Sequence, residues 1–440
     1  MLRFFRAFLM ASSFIAPASH AVCNIDITVP SALTPSDNVA WTGCATSGTT
    51  IQSALDRVAS QGGGAVKLKG TGTVLVRAPL NVGYKTTLYG DTIGTYGMTL
   101  VPGANVPTCT PGSYRPFNCP LVRVNGLSTP PAAGGRNAEV WNLKFQGSAG
   151  YALTAPAVSV NNSTHVHLTN LYAVGARYNA FEIGNSLYSN LSYVSADLEK
   201  GSGAPVDSGG AAGIWILLSK KTVVDRAQIF APGHYNAGYP SASNPPRDLV
   251  AVHGSEDVDI IHSNLKHTNA AAVFVNRCDG STPVCTGSNA NKRSKRVTVW
   301  DNDVQYTRQH GLDIAYTDSP FVYTNRISDI GHAGIALAAV TGGEVMFNTS
   351  QRTGKEASNL PTQSYGVLLI KWGTNSVLVQ QNHLYGNTAL IARSSVYFES
   401  WFGSPAQTSN TITSNSLWKG TSGWFGGTTA GNTISPNNQY

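Results

Sequence analysis

One short phrase recurs along the second half of this chain, a β-branched residue followed three positions later by Asn. The copies are Ile261–Asn264, Val299–Asn302, Val322–Asn325, Val345–Asn348, Val379–Asn382 and Ile412–Asn415, with the asparagines 38, 23, 23, 34 and 33 residues apart. Two intervals are identical, and the longer ones read as the same unit carrying an insertion. A repeat of this period is the mark of a solenoid, in which each unit buries its apolar face only against its neighbours. The 440 residues would otherwise suggest two or three domains. Stacked repeats share one continuous core, so a single repeat domain over 48–440 is expected.

The segments between the asparagines are short, apolar and bounded by Gly, Asn, Ser and Thr, as strands and turns are. One helix is expected before them. Ile51, Leu55 and Val58 recur at helical spacing, Thr49 or Thr50 stands where an N-cap would, and Gly62-Gly63-Gly64 ends the pattern. It fits a cap over the open end of a solenoid core. Residues 22–47 read as irregular. The asparagines read as scaffold: Asn tolerates the left-handed conformation of a tight corner, and its amide can bond the next Asn along the stack.

Residues 1–21 stand apart. Arg3 and Arg6 precede an apolar run from Ala7 to Ala16, and Ser19-His20-Ala21 carries small residues at −3 and −1 of a cleavage point. That is the pattern of a secretory signal peptide, so a secreted or periplasmic protein is expected. The apolar run is shorter than the ~20 residues a membrane span needs. Six cysteines form three close pairs, Cys23/Cys44, Cys109/Cys119 and Cys278/Cys285. In an exported chain such an even set suggests disulfides. The net charge of +7 is compatible with an anionic partner such as an acidic polysaccharide. No dense basic helix or nucleic-acid motif accompanies it, so nucleic acid is not expected as a partner.

Ile51-Gln52-Ser53-Ala54-Leu55 through Gly62-Gly63-Gly64-Ala65-Val66, the strand at Leu80, and Thr87-Leu88-Tyr89-Gly90 resemble the N-terminal signature of the pectate-lyase-like right-handed parallel β-helix superfamily. The Asn repeats resemble its stacked coils, and the resemblance covers roughly 48–430. It implies an all-β, right-handed parallel β-helix with a short N-terminal capping helix. It implies action on polysaccharide without choosing a chemistry, since the superfamily holds lyases, epimerases, hydrolases and non-catalytic adhesins. The hydrolases of this fold usually carry Asn-Thr-Asp, Asp-Asp, Gly-His-Gly and Arg-Ile-Lys. Here only Gly331-His332-Ala333-Gly334 and Ile370-Lys371 echo them. The calcium-dependent lyase motif is not evident, and no aspartate cluster marks a calcium site.

Aligning the coils on the asparagines gathers a candidate site. Gly311-Leu312-Asp313-Ile314, Gly334-Ile335-Ala336-Leu337 and Gly366-Val367-Leu368-Leu369 fill one slot, with Ala272-Val273-Phe274-Val275 and Leu249-Val250-Ala251-Val252 before them. Strand alternation places Ala251, Phe274, Asp313, Ala336 and Leu368 in one outward column, and His253, Asn276, Ala315 and Ala338 in a second. Asp313 is the charged residue in small and apolar company. Around it the alignment collects His310, Arg308, Tyr316 and Asp318, then Asp248, His253, His267 and Arg277 from preceding coils, and Asp329 and His332 from the following one.

That set has the parts of a proton-abstraction site. Cleaving a uronate polymer by β-elimination needs a base for the C5 proton, a positive group for the carboxylate, and an acid for the leaving oxygen. His310, Arg277 or Arg308, and Tyr316 or His253 supply them, and C5-epimerisation would use the same groups. Hydrolysis needs two carboxyls instead, for which Asp313 with Asp248, Asp318 or Asp329 are the candidates. The 231–247 insertion offers His234, Tyr235 and Tyr239 for stacking on sugar rings. The run Lys292-Arg293-Ser294-Lys295-Arg296 reads as a solvated loop or an acidic-glycan contact. Trp401, Trp418 and Trp424 read as a cap on the C-terminal end.

Overall fold

The structure, a computed structural model, describes residues 23–440 apart from 31, 71, 92–95, 104–119, 126–136, 148–152, 154, 199–210, 239, 242–245, 279–284, 355–365, 387–393, 400–405, 418 and 420–422. The signal-like start, Tyr239, Cys109/Cys119, Trp401 and Trp418 lie outside the described residues. The chain winds into a parallel β-helix. Each coil lays a strand beside the equivalent strand of the next, so Glu256–Ile261 pairs in parallel with Lys220–Asp225 and Ser294–Trp300. Asn264–Thr268 likewise pairs with Gln228–Phe230 and Asp303–Thr307. A third face is a 12-stranded parallel sheet running from Leu80–Asn81 to Phe425–Gly427.

Strand alternation fixes what each face buries. On the third face Val250, Val252, Val273, Val275, Leu312, Ile314, Ile335 and Leu337 point inward and are fully buried. They join the inward residues of the other faces in one core. Packing of inward apolar side chains, coil upon coil, is the main driving term for such a solenoid.

The Ile51–Ser60 helix forms as its spacing predicts. The Thr50 side chain accepts a 2.9 Å hydrogen bond from the Ser53 amide, and Ile51, Ala54, Leu55 and Val58 are buried. It packs over the strands Cys23–Thr28, Gly64–Lys69, Leu80–Asn81 and Thr86–Gly90, which closes the N-terminal end of the core. Residues 23–47 are not irregular. Cys23–Thr28 pairs with Gly64–Lys69, and Leu33–Pro35 with Thr73–Val76, so a coil precedes the helix. Its alternating pattern Cys23-Ile25-Ile27, buried at every second residue, was the available signal. Disulfides join Cys23 to Cys44 and Cys278 to Cys285. Among the described residues, no helix is long and apolar enough to cross a membrane.

The asparagines form a ladder at the corner between the first two faces. Asn302, Asn325, Asn348 and Asn382 each donate from backbone N and side-chain Nδ2 to Oδ1 of the next, at 2.9–3.1 Å, and Asn415 continues to Asn437. Their Nδ2 groups also donate to a main-chain oxygen of the preceding coil, as Asn325 does to Val299. Two details differ from the sequence reading. The left-handed residue is the one before each Asn: Asp301, Thr324, Phe347, Gln381 and Ser414 have φ of 51°, 51°, 58°, 54° and 55°. Asn is there for its amide, not for its backbone. The first copy is also out of step, because Ile260, not Ile261, pairs with Val299. Ser263 is therefore the rung that donates to Asn302, and Asn264 lies one residue beyond it.

Candidate active site

The third face carries the candidate site on its outer surface. Register places Trp215, Ala251, Phe274, Asp313, Ala336, Leu369 and Tyr397 in one outward column. The expected Leu368 is instead inward and fully buried. The 23-residue repeat is interrupted by the insertion before Gly366, which shifts the slot by one. The second column holds His253 and Asn276, then Ala315, Ala338, Lys371 and Glu399. In sequence Lys371 is only part of a motif echo, yet it stands two residues beyond an outward leucine. Counting from Leu369 finds it.

Each coil enters this face through a tight turn. A Cβ at Gly311 would stand 2.6 Å from the Gly334 carbonyl oxygen, and one at Gly334 would stand 1.9 Å from Ser350 Oγ. Glycine is required by close approach here rather than by an unusual φ. The turns bring His310 and His332 to the start of the strands bearing Asp313 and Ala336. Their rings meet edge to face, centroids 5.5 Å apart at 68°. Both are buried, at 7% and 2% exposure. Burial lowers both below the ordinary imidazole value, His310 well below it and His332 to about 2, and Lys371 pushes both further the same way. Both imidazoles are therefore neutral at neutral pH.

Asp313 stays partly accessible, while its Oδ1 is buried and accepts no hydrogen bond among the described residues. Burial raises its carboxyl, and the Lys371 ammonium opposes that rise. Asp248 accepts a 3.0 Å hydrogen bond from the Ala271 amide. Burial lifts it to about 7; the Ala271 bond opposes that, Asp313 adds to it, and Arg247 opposes it. The two carboxyls thus share one field. Lys371 lies over the exposed Trp372 ring at 4.6 Å, and Ala333, Ala336 and Leu369 pack with Tyr397 beside it.

Other expected members divide sharply. His253 is on the floor, edge-on to Phe274 at 5.6 Å and Trp215 at 6.3 Å. Arg277 covers the Tyr316 ring at 4.2 Å, forming one rim just beyond the second column. His267 turns away. It stacks on Tyr306 at 4.8 Å, in a column where His267, Tyr306, Asp329 and Arg352 all have positive φ, which swings them outward at the corner. Burial lowers His267, with Lys266 adding to the shift. Arg308 covers Tyr235 at 4.4 Å and donates to its carbonyl at 3.1 Å, while Tyr235 meets His267 edge-on. His234 is fully buried in the short Pro232–Asn236 helix and presents no ring to a ligand.

Two carboxylates drop out as catalytic candidates. Asp318 is paired with Arg293 at 2.7 Å, and Asp329 is held by Arg352 through Nε and Nη2. The basic run is similarly engaged, since Arg296 pairs with Glu256 and Asp257. Trp424 packs against the core and donates to the Tyr440 carbonyl, as a cap should. Among the described residues, no group of three or more His, Cys, Asp or Glu is placed to hold a metal ion.

Comparison with known proteins supports the architecture. A family model for the right-handed β-helix region matches residues 248–439. No curated protein matches the sequence. Among solved structures, the A-module of the Azotobacter vinelandii mannuronan C-5 epimerase AlgE6 superposes with a TM-score of 0.64 at 12% identity, covering 89% of this chain and 94% of that one. DFA-IIIase from Arthrobacter chlorophenolicus superposes at 0.54 and 11% identity, over 88% and 93%. PfbA, a surface adhesin of Streptococcus pneumoniae, superposes at 0.54 and 13% identity, over 88% and 89%. At these identities the likeness is one of fold.

Proposed function

We propose that this right-handed parallel β-helix protein is an exported enzyme that acts on an acidic polysaccharide by removing the C5 proton of a uronate, as a lyase or a C5-epimerase. The observation that carries the reading is Lys371, whose charge acts on His310, Asp313 and His332 together. A fixed cation on a floor of neutral imidazoles suits a substrate that brings its own negative charge. The two disulfides and the signal-like start support export.

In this reading Lys371 and Asp313, whose carboxyl burial pushes up, hold the uronate carboxylate and stabilise the charge that develops on it. Neutral His310 takes the C5 proton. In β-elimination the C5–H electrons form the C4–C5 double bond, and the C4–O bond breaks with its pair going to oxygen, which gains a proton from Tyr316 beside Arg277. In epimerisation the C4–O bond stays, and a proton returns to C5 from the opposite face. Two of the similar folds are mannuronan C-5 epimerases, which agrees with this chemistry.

A second reading rests on Asp248 and Asp313. A carboxyl held protonated up to about pH 7 and sensing another carboxyl has the form of a general acid, and Asp313 in its ionised form would supply the base or nucleophile that glycoside hydrolysis also needs. One assay separates the readings. The purified protein is incubated with a panel of acidic and neutral glycans, and products are followed by ultraviolet absorbance of the unsaturated uronate, reducing ends and NMR of C5 configuration. Unsaturation indicates a lyase, inverted C5 without shortening indicates an epimerase, and shortening without unsaturation overturns both in favour of hydrolysis. Binding with no product on any glycan would make the protein a binder of the adhesin kind.

A further inference from the structure

Arg247 opens a strand of the third face, next to Asp248, and the function proposed above makes no use of it. Among the described residues it is the largest side chain that is fully buried, at 1% exposure. Its main chain is firmly held: the amide donates to Asn269 Oδ1 at 2.9 Å, and the carbonyl accepts from Thr268 Oγ1. The side chain reaches back toward the turn before Phe181–Gly184, where Nη2 donates to the Arg177 carbonyl. Its remaining buried donors, Nε and Nη1, have no hydrogen-bond partner among the described residues.

A guanidinium keeps its proton in any ordinary protein environment. Burial lowers this one to about 10, which leaves it charged at neutral pH. A buried charge without a partner costs several kcal/mol, and a buried N–H without an acceptor is rarely tolerated. The groups that act on Arg247 are Tyr178 and Asp248. Asp248 carries its own raised value of about 7, so it is only part-ionised at neutral pH. Neither forms an ion pair with Arg247 among the described residues. Arg177 alongside is a second cation, and its own Nε is also buried without a partner.

We infer that the buried end of Arg247 is a binding site for a small inorganic anion of the halide class, held by Nε and Nη1. A polymer carboxylate is the wrong occupant, because a residue exposed by 1% is closed to a glycan chain. A halide is small and monovalent, and it satisfies both donors without needing donors of its own. The bound anion also offsets the Arg247 charge that otherwise favours ionised Asp248, so occupancy raises the Asp248 carboxyl further.

The test uses the intact protein and bromide as the probe. Thermal midpoints are measured across bromide concentrations, with ionic strength held constant by gluconate, an anion far larger than a halide. Wild type is expected to show a saturable rise. Arg247→Met is expected to lose the saturable component. Bromide anomalous scattering from wild-type crystals is expected to give a peak within contact distance of Nε and Nη1, and this arm needs no variant to fold. A flat or non-saturating wild-type response, or a water at that position with no anomalous peak, overturns the inference.

Discussion

His310 and His332, one coil apart, meet edge to face at 5.5 Å between ring centroids, and neither carries a proton charge at neutral pH. Unfolding releases both to the ordinary value of 6.5. The unfolded chain then binds more protons than the folded one below that pH, so their stabilising contribution is full above about 6.5 and is lost as pH falls through it. The thermal midpoint of wild type is expected to drop between pH about 7 and about 4. His332→Asn is expected to flatten that slope, and equal slopes would show that His332 is not held neutral.

Asp248 works in the opposite sense. Its folded value of about 7 lies above its unfolded 3.8, so the folded state holds an extra proton between them. Stability from this group is present at low pH and is lost as pH rises from about 4 to about 7. Asp248→Asn keeps an acceptor for the Ala271 amide and removes the titration. Its midpoint is expected to match wild type near pH 4 and to exceed it increasingly up to about 7, with no further gain beyond. A constant offset at all pH values would contradict the raised carboxyl.

Asn325 holds two neighbours at once. Asn325→Ala deprives the Asn302 amide and Nδ2 of their acceptor in a buried corner. The expected loss is at least about 2 kcal/mol by denaturant unfolding, from the usual cost of unmatched buried donors. Asn437→Ala, on the half-buried final rung, is expected to cost clearly less.

Thr324 is a β-branched residue at φ 51°, a region that disfavours it by roughly 1–2 kcal/mol. It is exposed, so packing does not compensate. Thr324→Asn is expected to raise stability by about 1 kcal/mol without any new contact, measured by the same unfolding assay.

Lys371 and Asp313 carry the activity test. Lys371→Met and Asp313→Ala are each expected to lower turnover of the responsive glycan at least about 100-fold, with circular dichroism unchanged. Lys371→Arg, which keeps the charge, is expected to retain part of the activity. Loss on Asp248→Asn with normal activity of Lys371→Met would favour the carboxyl pair instead.

The solenoid was legible because every coil must solve the same corner, and the residue that solves it recurs. The site was legible in part for the same reason: once coils are in register, Asp313 and His253 stand out among small neighbours. Two slips show where the sequence stops informing. Leu368 for Leu369 arose where an insertion resets the phase, and Asn264 for Ser263 where a hydroxyl replaces an amide. Spacing also conceals burial and side-chain direction. Nothing in the sequence distinguishes His310, turned onto the floor, from His267, turned outward by a left-handed residue at its own position. Nor does it reveal that Asp318 and Asp329 are already paired with Arg293 and Arg352.

Every rung of the asparagine ladder donates toward the C-terminus and accepts from the N-terminal side. The stack therefore has a polarity that its repeated outline conceals. Removing a coil from the C-terminal side strands amide donors, which proteins rarely leave unmatched. Removing one from the other side strands one Nδ2 hydrogen, which had bonded a main-chain oxygen of the lost coil, and an oxygen, which is tolerated better. The two ends are thus unequal against erosion: shortening from the tail leaves a harsher scar than shortening from the head.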